Sequence, residues 1–286
     1  MSKPPVNPFL AILAVGLGTT VVPLDSSVNI AFPDITRSFS IPIDAIQWVV
    51  ICYVLTYSSL MLVCGKLGDL FGHRRIFRIG LALSIVAFAL CGSASEFGWL
   101  LFFRFCQGVG AALVISCSPA LATACYPEEQ RAKALGLYTA LFGLGSVIGP
   151  SLGGIMVEAW GWPAVFWFRA PISCVALAAT WLIPSSPEAG VRKPFDGVGA
   201  CLLALGLSTL LLAINQVQSP HSTVIVVAAL VALSIIGFTG FVYQESRFAE
   251  PIIRLGMFRD IDFSIFNLAN YVANLVGFAV LLLVPY

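Results

Sequence analysis

Gly143-Leu144-Gly145-Ser146-Val147-Ile148-Gly149-Pro150-Ser151-Leu152-Gly153-Gly154 sets glycines at 145, 149 and 153, four residues apart. On a helix this spacing gives one nearly straight stripe without side chains. A membrane helix uses such a stripe to bring its backbone close to a neighbour. Pro150 removes a backbone donor beside Gly149 and invites a kink. The spacing by itself has two readings: plain helix–helix packing, or a helix that seals against a neighbour and then releases it.

The composition around this stretch is that of a polytopic membrane protein. Hydrophobic residues make up 59% of the chain, charged residues 10%, and mean hydropathy is +0.95. A soluble domain carries about 25% charged residues. The net charge of +1 gives no support for a nucleic-acid partner. The eight cysteines lie in or beside apolar runs without a Cys-x-x-Cys pair, which argues against a metal site or a disulfide framework. No nucleophile–base pairing or phosphate-cradling loop falls in the apolar runs. The expectation is therefore a non-enzyme with no metal and no cofactor.

Runs long enough to cross a bilayer, about 20 residues, fall near 9–32, 45–64, 76–95, 98–124, 134–157, 164–184, 197–216, 223–243 and 263–286. Lys3, Lys66, Arg74, Arg75, Arg78, Arg131, Lys133, Arg192, Lys193, Arg247, Arg254 and Arg259 then share one side, while the other holds only Arg37. Basic residues mark cytoplasmic loops, so the N-terminus is expected in the cytoplasm. Trp99, Trp160 and Trp162 fall near outer span ends, where amphipathic rings anchor. The short Pro-rich N-terminus lacks a small-residue cleavage site, and the first run reads as a retained span.

Charges inside spans are functional candidates, since a carboxylate at the bilayer centre costs about 2.5–3.5 kcal/mol on insertion scales. Asp25 lies in the first span, about 24 Å from its cytoplasmic end at a helical rise. Asn29, four residues on, would share its helical face and could hydrogen-bond it. The competing reading leaves Asp25 hydrated near the outer surface. Arg104, flanked by Phe103 and Phe105 in the fourth run, lies about 9 Å below that surface. The two charges are thus at similar depth; they couple across a shared cavity, or Arg104 snorkels outward. Arg169 lies near the outer end of the sixth run and reads as a snorkelling anchor. Facing inward instead, it would make the cavity more basic and less hospitable to cations.

Between the second and third runs comes Gly65-Lys66-Leu67-Gly68-Asp69-Leu70-Phe71-Gly72-His73-Arg74-Arg75. It reads as a short loop with glycines for tight turning, an acid to cap a helix and a basic cluster for anionic headgroups. His73 reads as a headgroup-side residue and not a metal ligand, since His221 is the only other histidine. Asn267, Asn270 and Asn274 in the ninth run are spaced to line one face, for hydrogen bonds to another helix or a cavity.

These motifs together resemble the major facilitator superfamily. Gly145 to Gly154 looks like its fifth-helix antiporter signature, and Gly65, Asp69, Gly72, Arg74 and Arg75 its cytoplasmic loop signature, with His73 and Arg74 at the paired basic positions. Arg104, Gln107, Gly108 and Gly110 resemble its fourth-span signature, whose arginine is implicated in proton coupling. Trp160 to Ile172 and Glu250 to Arg259 resemble stretches of the fourteen-span drug:proton antiporter branch. Pro163 stands where arginine is usual there, and Arg169 where asparagine is usual.

The resemblance implies an all-α polytopic protein. A six-helix bundle would occupy 1–184, a cytoplasmic linker and two extra transmembrane helices 185–243, and a loop with the first helix of an incomplete second bundle 244–286. It implies proton-coupled efflux of small, often lipophilic compounds across the cytoplasmic (inner) membrane. Asp25, Asn29, Arg104 and Gln107 would line the proton and substrate path. Gly145, Gly149, Pro150, Gly153 and Gly154 would form the gating seam. In the family that seam and the Asp69 loop meet the second bundle, so here the stripe is expected to face lipid or another subunit. A truncated product, a fragment, or a split transporter whose second chain supplies the C-terminal bundle all fit. A non-transporting remnant or modulating subunit, and a metabolite symporter, are the alternatives.

Overall fold

The computed structural model describes residues 8–124, 126–183, 194–218 and 222–283, and among them every regular element is helical. The first apolar run holds α1 (Pro8–Thr20), a 3-10 segment (Pro23–Ala31) and α2 (Phe32–Phe39). Then follow α3 (Gln47–Phe71), α4 (His73–Gly92), α5 (Phe97–Ala124) and α6 (Arg131–Trp160). The sixth run divides into α7 (Ala164–Trp167) and α8 (Arg169–Ala179), and α9 (Gly197–Gln218), α10 (Val224–Glu245) and α11 (Ile261–Leu283) complete the chain. The first eight of the nine expected runs form helical stretches long and apolar enough to cross a membrane.

Two apolar clusters fill the bundle made by α1 to α8. One joins α1, α4, α5 and α8 through Ile12, Phe77, Leu81, Val114 and Ala176. The other gathers Val28, Ile35, Val49, Leu100 and Phe166 around the 3-10 segment. Outward faces carry residues such as Val86, Phe102, Val147 and Val175. Apolar groups outside and inside suit a chain whose surroundings are lipid. The helices α9 and α10 pack on each other, and α9 docks on α3. There Ser59 Oγ and Ser208 Oγ share a hydrogen bond of 2.9 Å.

Three expectations change here. Gly65 to Phe71 is not a loop: α3 continues through it, and the connection to α4 is the single residue Gly72, with φ +91°. Asp69 accordingly sits in the last turn of α3, its carboxylate 3.2 Å from His73 Nε2, and caps nothing. The glycine stripe does not face lipid or a missing subunit. Gly145, Gly149 and Gly153 are buried against the chain's own Thr20–Ser27 segment, whereas Gly154 borders open space. Finally, Asn267 and Asn274 donate to carbonyls of α11 itself and remain exposed. Part of the expected boundary after Ile183, with Arg192 and Lys193, lies outside the described residues, as do Lys3, Cys125 and His221.

Candidate functional site

The residues expected to matter converge where the first span gives up α-helical geometry. Pro23 opens the 3-10 segment, since its missing N–H could not serve an α-helical ladder. A 3-10 helix turns 120° per residue, so positions four apart do not share a face. Asn29 is therefore swung away from Asp25 and lies exposed, a correction to the expected pairing. The segment is seated directly on α6. A methyl group added to Gly145 would meet Thr20 O at 2.8 Å, and one added to Gly153 would meet Ser27 Cα at 2.9 Å. Thr20 Oγ1 donates to Leu141 O at 3.1 Å, tying the two backbones laterally. No side chain could stand between them at those distances.

The Asp25 side chain projects from this seat into the bundle and is 11% exposed. Arg104, from α5, grips it in a bidentate pair, Nη1 to Oδ1 at 2.6 Å and Nη2 to Oδ2 at 2.7 Å. Gln107, one turn on, donates to Oδ1 at 2.9 Å and accepts from Arg104 Nη1 at 2.8 Å. Arg104 Nε reaches Val49 O on α3 at 2.7 Å, so all its nitrogens are engaged. Tyr53 lies under the guanidinium, 4.4 Å from ring centroid to Cζ. Parallel two-point pairing of this kind fixes direction as well as charge.

Arg169 is the larger correction. It is not an anchor at the surface but fully buried, and its Nη1 donates to Asp25 Oδ1 at 2.5 Å. Its Nε bonds Val165 O at 2.9 Å, and Phe88 covers its guanidinium face at 4.6 Å. The depth argument explains the miss. Arg169 lies about five residues into its span, or about 8 Å, the same depth assigned to Asp25 and Arg104. Nearness to the outer end is not nearness to water here, because the outer end is where the other two charges sit. Two guanidinium groups against one carboxylate leave the cluster with one net positive charge. Arg169 Nη2 and the Tyr53 hydroxyl are buried there without hydrogen-bond partners.

The remaining predicted residues stand apart from this cluster. Gly65, Asp69, Gly72, Arg74 and Arg75 lie at the other end of α3 and α4, where Arg74 Nε donates to Thr180 O at 3.1 Å. That bond places a cation on the end of the sixth run, where helix carbonyls lack partners. Pro150 lies within α6, which is helical from Arg131 to Trp160. Tyr53, Phe88 and Phe166 had not been singled out from the sequence; their signal was aromatic residues within apolar runs, which packing alone produces as readily. Among the described residues no three His, Cys, Asp or Glu side chains are grouped as a metal site requires.

Comparison with known proteins completes the description. A 33% identical stretch of 259 residues matches the multidrug resistance protein Stp of Mycobacterium tuberculosis, covering 90% of this chain and 48% of that one. The uncharacterized transporter Rv1250 of the same species is 35% identical over 284 residues, 98% of this chain and 48% of its own. The methylenomycin A resistance protein of Bacillus subtilis is 32% identical over 94% of this chain and 57% of its own. The chain thus spans about half the length of the curated relatives it matches. A bacterial homolog of the human lysosomal transporter Spinster, solved facing inward and occupied, shares the fold with a TM-score of 0.55 at 21% identity, over 88% of this chain and 64% of that one. The sequence model of the Major Facilitator Superfamily matches residues 9–284, and the chain belongs to that family of membrane transporters.

Proposed function

We propose that this chain is the N-terminal part of a proton-coupled antiporter that exports small, lipophilic compounds, in the manner of the fourteen-span branch. The observation that carries the reading is Asp25, held by Arg104 and Arg169 within the bundle and mounted on a segment seated in the glycine stripe of α6. A buried ion pair is seldom retained for stability, because apolar packing serves that end at least as well. Inside a transporter it marks a path for ions or cargo.

The coupling follows from electrostatics. Neutralising Asp25 in place would leave two guanidinium groups buried together, so a proton arrives as the cluster opens and one arginine leaves. The α6 stripe is the surface on which the Asp25 segment can shift with little side-chain obstruction. In this reading Asp25 carries the proton, Arg104 and Gln107 hold it in register, and Gly145, Gly149, Pro150, Gly153 and Gly154 form the seam. Gly65, Asp69, Gly72, Arg74 and Arg75 form the cytoplasmic hinge. Asn29 now stands outside this pathway. The net positive charge favours neutral or anionic cargo over cations, and resistance to a neutral antibiotic is the expected phenotype. The protein sits in the inner membrane with its N-terminus in the cytoplasm.

Alternating access needs two halves around a central site. The share of its relatives' length that this chain covers favours a second reading, in which another stretch or a second chain supplies the C-terminal bundle. The decisive experiment measures proton-driven uptake of a lipophilic antibiotic into inverted membrane vesicles containing the protein, with Asp25→Asn and Arg104→Ala as comparisons. Uptake that collapses in both variants and with an uncoupler supports antiport. Accumulation indifferent to the protein's presence supports a remnant or a modulating subunit.

A further inference from the structure

We infer that Asp196 and Glu245 form a proton-binding site at the foot of the α9–α10 pair, separate from the Asp25 cluster and independent of its role. Asp196 precedes α9 and Glu245 ends α10, and the two are 1% and 4% exposed. Both carboxylates border the bare α-carbon of Gly199. Asp196 Oδ2 and Glu245 Oε1 would each lie within 3.2 Å of a methyl group placed there. Two acids therefore flank one small buried space.

The hydrogen bonds around that space differ in one respect. Asp196 Oδ1 accepts from Gly199 N at 2.8 Å and from Gln244 Nε2 at 3.1 Å. Glu245 Oε1 and Oε2 accept from Ile252 N at 3.1 Å and Ile253 N at 3.2 Å. Asp196 Oδ2 is buried and has no partner at all. A buried acceptor left unmatched is unfavourable, and two like charges at close range cannot both ionise cheaply. One proton held between Asp196 Oδ2 and Glu245 Oε1 answers both problems. A metal ion fits less well, because the groups converging on the two acids are N–H donors and not further oxygen ligands.

The charged surroundings do not displace this assignment. On α3, packed against α9, Lys66 is the cation whose field reaches Glu245, but its ammonium donates to Pro251 O at 3.0 Å and lies 4.0 Å from Glu250. Lys66, Asp69, Glu250 and Arg254 line a cleft of about 400 Å³ together with Ile252 and Ile253 of the loop that Glu245 holds. Arg247, just past α10, stacks on Tyr243. Loss of the shared proton would set two adjacent carboxylates against each other and loosen the grip of Glu245 on residues 252 and 253. Those residues lead into α11, so the site ties the cytoplasmic proton concentration to the connection leaving α10.

The test uses the purified full chain in detergent, with infrared spectra of the carboxyl stretch and thermal melting recorded as pH is raised through neutrality. Asp196→Asn keeps both acceptor bonds on Oδ1 and puts an N–H where the proton would be. Wild type is expected to show a protonated-carboxyl band that disappears at alkaline pH together with a drop in melting temperature. Asp196→Asn is expected to lack that band and to melt at a pH-independent temperature. Glu245→Gln, a second neutral mimic, removes the band as well. A wild-type spectrum without the band, a band that survives in either variant, or stabilisation of wild type by sodium or calcium in place of protons would overturn the proposal.

Discussion

Gly153 and Gly154 are adjacent in the sequence and inseparable within the motif, yet the structure predicts opposite outcomes when each becomes alanine. A β-carbon at Gly153 would stand 2.7 Å from Ser27 Cβ, 2.9 Å from Ser27 Cα and 3.0 Å from Ser27 O. Non-bonded carbons settle at about 3.5–4.0 Å. The overlap is with backbone and a β-carbon, which cannot rotate aside, and overpacking of that kind costs about 1–3 kcal/mol. At Gly154 nothing lies within 4 Å. Each substitution gains the same intrinsic helix preference of alanine over glycine, about 1 kcal/mol, so that gain cancels in the comparison. Gly153→Ala should therefore be about 1–3 kcal/mol less stable than Gly154→Ala. At about 2–4 °C per kcal/mol, the melting temperature in detergent should be lower by several degrees. Gly149→Ala should fall between them, because its first obstacle is the Ser26 hydroxyl, which can turn away. Equal melting temperatures for Gly153→Ala and Gly154→Ala would refute the placement of the Asp25 segment on α6.

Three further outcomes follow from the charge cluster and the hinge. Asp25→Ala strands two buried guanidinium groups and should cost about 3–5 kcal/mol. Adding Arg169→Asn should restore part of that loss, and a double-mutant cycle by melting would detect additivity if the two do not interact. Arg169→Asn alone leaves the bidentate pair of Asp25 with Arg104 and removes one positive charge. Vesicle uptake of a lipophilic cation should rise several-fold relative to a neutral compound, and an unchanged ratio would count against the cavity's charge as the filter. Gly72→Ala forces a side chain into a backbone with φ +91°. It should lower the melting temperature by an amount corresponding to about 1–3 kcal/mol, whereas Gly136→Ala, in a helix with open space around it, should not.

The nine apolar runs and the glycine stripe were open to reading because periodicity and transfer energy act through neighbours in sequence. Ile12 or Val114 must leave water wherever the chain carries them. The depth of Asp25 and Arg104 was equally legible, since a fixed rise per residue converts position into ångströms. Run ends were less so. Gly65 to Phe71 contains enough glycine and charge to look like a loop, but about two turns of continuing helix satisfy its backbone, leaving the reversal to Gly72.

What the sequence determined alone was a membrane-embedded helical chain with a small set of charges at one depth and one bare helical stripe. The tertiary structure decided which surfaces and charges meet. It turned the stripe toward the chain's own first span, brought Arg169 in beside Arg104, swung Asn29 out, and joined Gln244 to Asp196 across 48 positions of chain. Those choices depend on helix rotation, which is set by packing among elements distant in sequence, and on the 3-10 geometry that begins at Pro23 and is seated against α6. Spacing along one helix carries no record of them.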